Sequence, residues 1–153
     1  MRAKILSASA GSGKTYRLAY KYVHDTIKYF YEKPYLYRAI LAVTFTNKAT
    51  EEMKSRILKE INDIVQSPAK SSYLKDLKRD TTLTEQEIIS RAKGILSRIL
   101  HDYSRFTILT IDKFFQRILR AFIKELGIDL NYNIELETSS ILARSTDALI
   151  DDI

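Results

Sequence analysis

The sequence predicts an α/β domain whose parallel sheet is flanked by helices. Three observations carry that expectation: short β-type runs alternate with amphipathic helical stretches, a glycine-rich loop joins the first run to the first helix, and a polar cluster follows each run at its carboxyl end. Right-handed crossovers between such units set the strands side by side and gather ligand sites on one sheet edge.

Lys4-Ile5-Leu6-Ser7 reads as the first strand, and Ala8-Ser9-Ala10-Gly11-Ser12-Gly13-Lys14-Thr15 follows it directly, with alanine where the usual phosphate loop has its first glycine. Small residues let several backbone N–H groups point inward, and a helix opening at Gly13 or Lys14 adds its positive end, so the segment makes an anion site. In such a loop Lys14 reaches the β and γ phosphates of a nucleoside triphosphate and the Thr15 hydroxyl sits on Mg²⁺. Residues Ala8 to Thr15 are therefore the candidate nucleotide cradle, with Lys14 and Thr15 its catalytic members and Thr15 the metal ligand.

From Lys14 to about Tyr31, Leu18, Tyr22, Val23, Ile27 and Phe30 recur near a 3.6 period, and Pro34 closes the helix. Ala39-Ile40-Leu41-Ala42-Val43 is a continuous apolar run, expected to be a parallel strand covered on both faces. Asn47 can cap the next helix, Glu51 and Glu52 suit its positive end, and Ala49, Met53, Ile57, Ile61 and Val65 form an inward stripe up to Ser67-Pro68. Residues 67–83 are polar, mixed in charge and without period, so they read as a mobile insertion. Thr84-Glu85-Gln86-Glu87 has the form of a capping box, opening a helix through Ile88, Ile89, Ala92, Ile95, Leu96, Ile99 and Leu100. Phe106 to Ile111 is the third strand. Asp112 starts a helix with Phe115, Ile118, Leu119, Phe122, Ile123 and Leu126 inward, and Gly127 stops it. Asn131 to Glu137 reads as extended, with a last helix from Thr138 or Ser139.

A length of 153 residues with 45% hydrophobic and 29% charged content fits one domain-sized core. The absence of cysteine excludes a disulfide framework and a thiolate metal site, and suits a reducing compartment. No run approaches the roughly 18 apolar residues of a membrane span and no signal-type apolar segment opens the chain, so a cytoplasmic protein without a membrane partner is expected. A net charge of +6 with ten tyrosines and six phenylalanines suits a polyanion and offers rings for base stacking, although the same composition also serves solubility.

Three strings carry a family resemblance. Ala8 to Thr15, then Val43-Thr44-Phe45-Thr46-Asn47-Lys48-Ala49-Thr50-Glu51-Glu52-Met53, then Thr110-Ile111-Asp112-Lys113-Phe114-Phe115-Gln116-Arg117 resemble the first, Ia and Ic motifs of the superfamily 1A DNA helicases, the UvrD/Rep/PcrA group. The forms of the first and third strings are most similar to the helicase-nuclease branch of RecB and AddA. The resemblance implies a RecA-like P-loop ATPase domain that uses ATP and Mg²⁺ to move along single-stranded DNA in repair or recombination, in a complex with a partner subunit. It implies a Walker lysine at Lys14, a Mg²⁺-linked hydroxyl at Thr15, and single-strand contacts at Thr44, Phe45, Thr46 and Asn47 and at Thr110, Asp112 and Phe114. Residues 1–127 would then be the N-terminal part of motor domain 1A, and 128–153, with Ile134-Glu135-Leu136, the start of a helical accessory 1B region. Hydroxyls, an amide and helix-start N–H groups can hold phosphates, and an exposed ring can stack on a base.

The chain departs from the family twice. No glutamine stands among the seven residues before the loop, which leaves adenine selectivity unassigned, and Asp112-Lys113 replaces the family's His-Ser or His-Gly. The family's Asp-Glu pair and arginine sensors come further downstream, so the chain reads as an N-terminal fragment that binds nucleotide and DNA without turning ATP over by itself. Two other readings stay open at this stage: a complete small P-loop kinase or ATPase with Asp112 as its Walker B carboxylate, and a non-hydrolysing nucleotide- or DNA-binding module.

Overall fold

The computed structural model describes residues 13–125. The expected first strand, loop residues 8–12, the Gly127 stop, the 131–137 segment, the last helix and the expected boundary at 127/128 lie outside the described residues. The chain divides into two compact units, Met1–Phe114 and Phe115–Ile153.

In the first unit the order is α1 (Lys14–Lys28), α2 (Leu36–Ala39), β1 (Ala42–Thr44), α3 (Asn47–Gln66), a 3₁₀ turn at Pro68–Lys70, α4 (Leu74–Thr81), α5 (Glu85–His101), a 3₁₀ turn at Tyr103–Arg105, and β2 (Ile108–Thr110), after which α6 (Ile111–Glu125) begins. The strands pair in parallel, Ala42 with Ile108, Val43 with Leu109 and Thr44 with Thr110. This is a small α/β domain with a two-stranded parallel sheet among the described residues, and α3 packs against both strands.

The core is helical. Ala19, Tyr22, Val23 and Ile27 of α1 meet Met53, Ile57, Ile61 and Ile64 of α3, Leu74 and Leu77 of α4, and Ile88, Ala92, Ile95 and Ile99 of α5, joined by Phe106 and Ile108. Leu18, expected inside, is half exposed, because the buried face of α1 runs through Ala19 and Tyr22 instead. Arg91 and Arg98 of α5 finish α1. Arg91 donates to the carbonyls of Ile27 and Lys28 in the last turn of α1 at 3.1 and 3.2 Å, and Arg98 donates to Pro34 O at 2.7 Å while lying over the Phe30 ring. Gly94 makes room for that ring, since a Cβ there would stand 2.6 Å from Phe30 Cζ.

Four expectations change. The apolar run at 39–43 is divided: Ala39 ends α2, and the strand covers only Ala42–Thr44, with Leu41 and Val43 partly exposed rather than covered on both faces. Tyr37, just upstream, fixes that division by burying its ring and donating to Arg98 O at 3.2 Å and Asp102 Oδ2 at 3.3 Å. Residues 67–83 are no loose insertion. Tyr73, Leu74 and Leu77 are buried there, and the α3 carboxylate Glu60 binds Ser71 and Ser72. The α3 cap is Thr46 rather than Asn47, its hydroxyl accepting from Ala49 N at 3.1 Å. In the second unit the described part of α6 has no buried residue, and Phe115, Leu119 and Phe122 of its expected inward stripe are exposed.

The capping box is present as expected. Thr84 Oγ1 accepts from Glu87 N at 3.3 Å, and the Glu87 carboxylate accepts from Thr84 N at 2.8 Å. The bonds that this carboxylate accepts, first from the Thr84 N–H and then from the Thr84 hydroxyl at 2.7 Å, hold the Glu87 carboxyl below the usual glutamate range. A depressed carboxyl stabilises the fold above its unfolded pKa and loses that contribution as pH falls through the folded value. Thermal melts of Glu87→Gln are therefore expected to show a flatter acid limb below about pH 4 than the parent; superimposable acid limbs would contradict the box. Leu77→Ala should cost about 2–5 kcal/mol in denaturant unfolding, whereas a change under about 0.5 kcal/mol would return the segment to the status of a surface insertion.

Candidate functional site

Parallel pairing in this register sets the ends of β1 and β2 beside one another, and two of the three sequence strings meet there. Thr44 ends β1 opposite Thr110, which ends β2. The turn after β1 is held by hydroxyls: Thr44 Oγ1 and Thr50 Oγ1 lie 2.7 Å apart, and each is within bonding distance of the Thr46 carbonyl, at 3.2 and 3.1 Å. Thr46 turns its own hydroxyl to the start of α3. Phe45, between the two threonines, is left 85% exposed. A large apolar ring fixed at its backbone and uncovered at its face is suited to stacking.

The turn after β2 is built the same way. Thr110 is buried, and its Oγ1 accepts from Lys113 N at 3.3 Å at the start of α6. Lys113 then reaches across to α3, its ammonium donating to Asn47 Oδ1 at 3.1 Å. That bond assigns the amide: with the carbonyl oxygen held by a cation, the Asn47 NH₂ carries the donors that face away. Asp112 is exposed in the first turn of α6, where a carboxylate suits the helix end, and Phe114 is half buried.

The residues fall into two groups. Phe45, Asn47 and Asp112 present side chains to the surface, while Thr44, Thr46 and Thr110 use their hydroxyls to hold the turns. Thr50 and Lys113 belong to the site and were not among its expected members. A threonine four residues after Thr46 is the signal for the first, since i to i−4 hydroxyl bonding is common in a helix first turn; for Lys113 the sequence holds no signal, because its partner lies 66 residues away.

The glycine loop is described from Gly13 onward. Gly13 has φ 75°, a left-handed conformation that favours glycine, and as the residue that caps α1 it brings no side chain to the helix start. Lys14 is exposed, Thr15 is half buried, and the first turn contains no acidic residue. A helix end of this kind is suited to an anion, and Gly13, Lys14 and Thr15 are compatible with a phosphate group there. Ala8 to Ser12 lie outside the described residues.

The profile of the UvrD/REP helicase N-terminal domain matches residues 2–153. The chain belongs to that family. This UvrD/Rep-type domain is 34% identical over 128 residues to the RecBCD enzyme subunit RecB of Buchnera aphidicola, an alignment covering 76% of the chain and 10% of the relative. It is 31% identical over 149 residues to RecB of Haemophilus influenzae, covering 92% of the chain and 12% of that protein. An ATP-dependent helicase/nuclease subunit of Exiguobacterium sibiricum is 30% identical over 138 residues, 90% of the chain and 10% of the relative. The domain is thus related to RecB- and AddA-like helicase-nuclease subunits, and it spans about a tenth of their length. No solved structure matches it significantly. Among the described residues no helix is long and apolar enough to cross a membrane.

Thr50→Val tests the hydroxyl cluster. Removing a hydroxyl that is 6% exposed and bonded to two neighbours should lower stability by about 1 kcal/mol, read as a shift of the urea midpoint, and an unshifted midpoint would show that the cluster does not hold the turn.

Proposed function

We propose that the chain is the nucleotide-binding and single-strand-contacting N-terminal part of a RecA-like motor domain in an ATP-dependent DNA helicase of the helicase-nuclease type. The observation that carries the reading is the meeting of the Ia-like and Ic-like turns through Asn47 and Lys113, with Phe45 uncovered beside them. Family membership and the names of its relatives, RecBCD enzyme subunits and ATP-dependent helicase/nuclease subunits, support it. The subunit names of those relatives support a partner subunit for the full-length protein, and a setting in DNA repair or recombination is part of the same proposal.

In this reading the backbone N–H groups of the first turn of α1, with the residues 8–12 that precede it, would hold the triphosphate, Lys14 would balance its β and γ charges, and the Thr15 hydroxyl would ligate Mg²⁺. ATP supplies the phosphoanhydride whose hydrolysis drives movement along the strand. Phe45 stacks on a base, as Phe114 does from the second turn. The outward amide of Asn47 and the Lys113 cation face the strand's phosphates, and Lys113 offsets the negative charge of Asp112. Thr44, Thr46 and Thr110 serve by fixing the turns that carry these groups. Asp112 is not assigned a metal, since it stands exposed next to a lysine.

Lys14→Ala deletes a charge-assisted contact and leaves the loop backbone in place, so it should weaken ATP binding by about 1.5–3 kcal/mol; unchanged calorimetric affinity of the folded variant removes the phosphate-loop assignment. Phe45→Ala in the full-length protein should weaken single-stranded DNA binding by about 1–3 kcal/mol with ATP affinity unchanged. Wild-type anisotropy curves for that variant would make Phe45 an ordinary exposed ring and the surface around it no binding site.

A further inference from the structure

The turn at residues 71–73 grips the first turn of α1. Glu60 is a nearly buried α3 carboxylate, 9% exposed, and its oxygens accept three bonds: from Ser71 Oγ at 3.0 Å, Ser72 N at 3.1 Å and Ser72 Oγ at 2.6 Å. Tyr73 comes next and is fully buried, set edge-on to Tyr16 and Tyr20, with ring centroids 4.9 and 5.4 Å away. The contact with Tyr16 is reciprocal. Tyr73 OH donates to the Tyr16 carbonyl at 3.2 Å, and Tyr16 OH donates to the Ser72 carbonyl at 3.2 Å. Tyr16 directly follows Lys14 and Thr15. One turn on, Tyr20 OH donates to Asp80 Oδ2 at 2.6 Å, which ties the same face of α1 to the end of α4.

We propose that Glu60, Ser72 and Tyr73 form a positioning relay that fixes the first turn of α1, and with it Lys14 and Thr15, for the triphosphate. This rests on the reading of that helix end as a triphosphate site.

Packing alone does not call for these groups. A buried carboxylate is costly unless its oxygens are satisfied, and an apolar residue at position 60 would fill the same space at lower cost. Glu60 instead directs its bonds to two consecutive serines and so fixes the turn that presents Tyr73. The Tyr16 carbonyl already accepts the N–H of residue 20 within α1. The added phenol is therefore not needed to satisfy it; a second donor from outside sets where that carbonyl stands and how the helix is rotated. Burial pushes the Tyr73 phenol above its ordinary range, which keeps it a donor at neutral pH. A phosphate site works only when its groups are held to within about 0.5 Å, which is the demand such a relay meets.

Tyr73→Phe keeps the ring and its edge-on contacts and deletes only the bond to Tyr16. Tyr16→Phe deletes the reciprocal bond, and Glu60→Gln keeps the shape and weakens the hold on the serines. In the full-length protein, calorimetric titration with Mg²⁺ and the non-hydrolysable analogue AMP-PNP should give affinities about 5- to 10-fold weaker for Tyr73→Phe and for Glu60→Gln, the worth of one hydrogen bond. Their double variant should be no weaker than the worse single, because both act through one relay. If Glu60→Gln does not fold, Tyr73→Phe and Tyr16→Phe decide the matter. Lys14→Ala, titrated beside them, separates the two ways of failing. Should Lys14→Ala lose affinity while the tyrosine and Glu60 variants melt earlier but bind as wild type, the relay is overturned and the triphosphate site stands. Should Lys14→Ala bind as wild type, the site itself falls and the relay with it.

Discussion

The register between β1 and β2 is the constraint from which the rest of the candidate site follows. Two three-residue strands make few ladder bonds, and a slip of one residue would turn every side chain to the other face. Contacts at both ends oppose that slip. At the amino ends, Tyr37 and Arg38 before β1 both reach Asp102, just before β2, the arginine at 2.7 Å. At the carboxyl ends, Lys113 reaches Asn47. Ile108 and Phe106, buried against the helices, fix which face of β2 turns inward. Thr44 and Thr110 then stand opposite one another, and the turns that follow them have to share an edge.

That edge is economical in its chemistry. Each turn uses a threonine hydroxyl to start the next helix, Thr46 for α3 and Thr110 for α6, so the local folding signal lies within the motif strings themselves. The arrangement leaves the larger and more reactive groups uncommitted to packing: Phe45 outward, the Asn47 donors outward, Lys113 between the two turns. A surface of this kind combines a ring, an amide and a cation. At the other end of the first unit's core, Tyr73 bonds the first turn of α1 through the Tyr16 carbonyl and Arg91 bonds the last turn.

Much of the helical framework was legible in the sequence, because it rests on local signals. The Thr84–Glu87 box, the stripe through Met53, Ile57 and Ile61 and the stop at Ser67-Pro68 can each be read within a few residues. The three strings were equally legible as motifs, and their family follows from them. What escaped depends on distant partners. Tyr73, Leu74 and Leu77 form too short a pattern to show a helical period, and their burial is decided by α1, α5 and Glu60 of α3. Ala39 to Leu41 look like strand by composition, yet Tyr37 sinks into the core beside α5 and leaves room only for a short helix there. Thr46 and Asn47 are both competent caps, and the choice falls to whichever residue remains extended at the end of β1; Thr46, at φ −126° and ψ 154°, is that residue.

The proposed function assigns the nucleotide to the start of α1 and the single strand to the turns after β1 and β2. The most direct test is a crystal structure of the full-length protein with Mg²⁺, AMP-PNP and an oligothymidylate. The account predicts the triphosphate at the start of α1 with Lys14 on its phosphates and Thr15 on the metal, and a thymine stacked on Phe45 with a phosphate near Asn47 and Lys113. A triphosphate bound away from Lys14, or a strand running over another face with Phe45 bare, would contradict it.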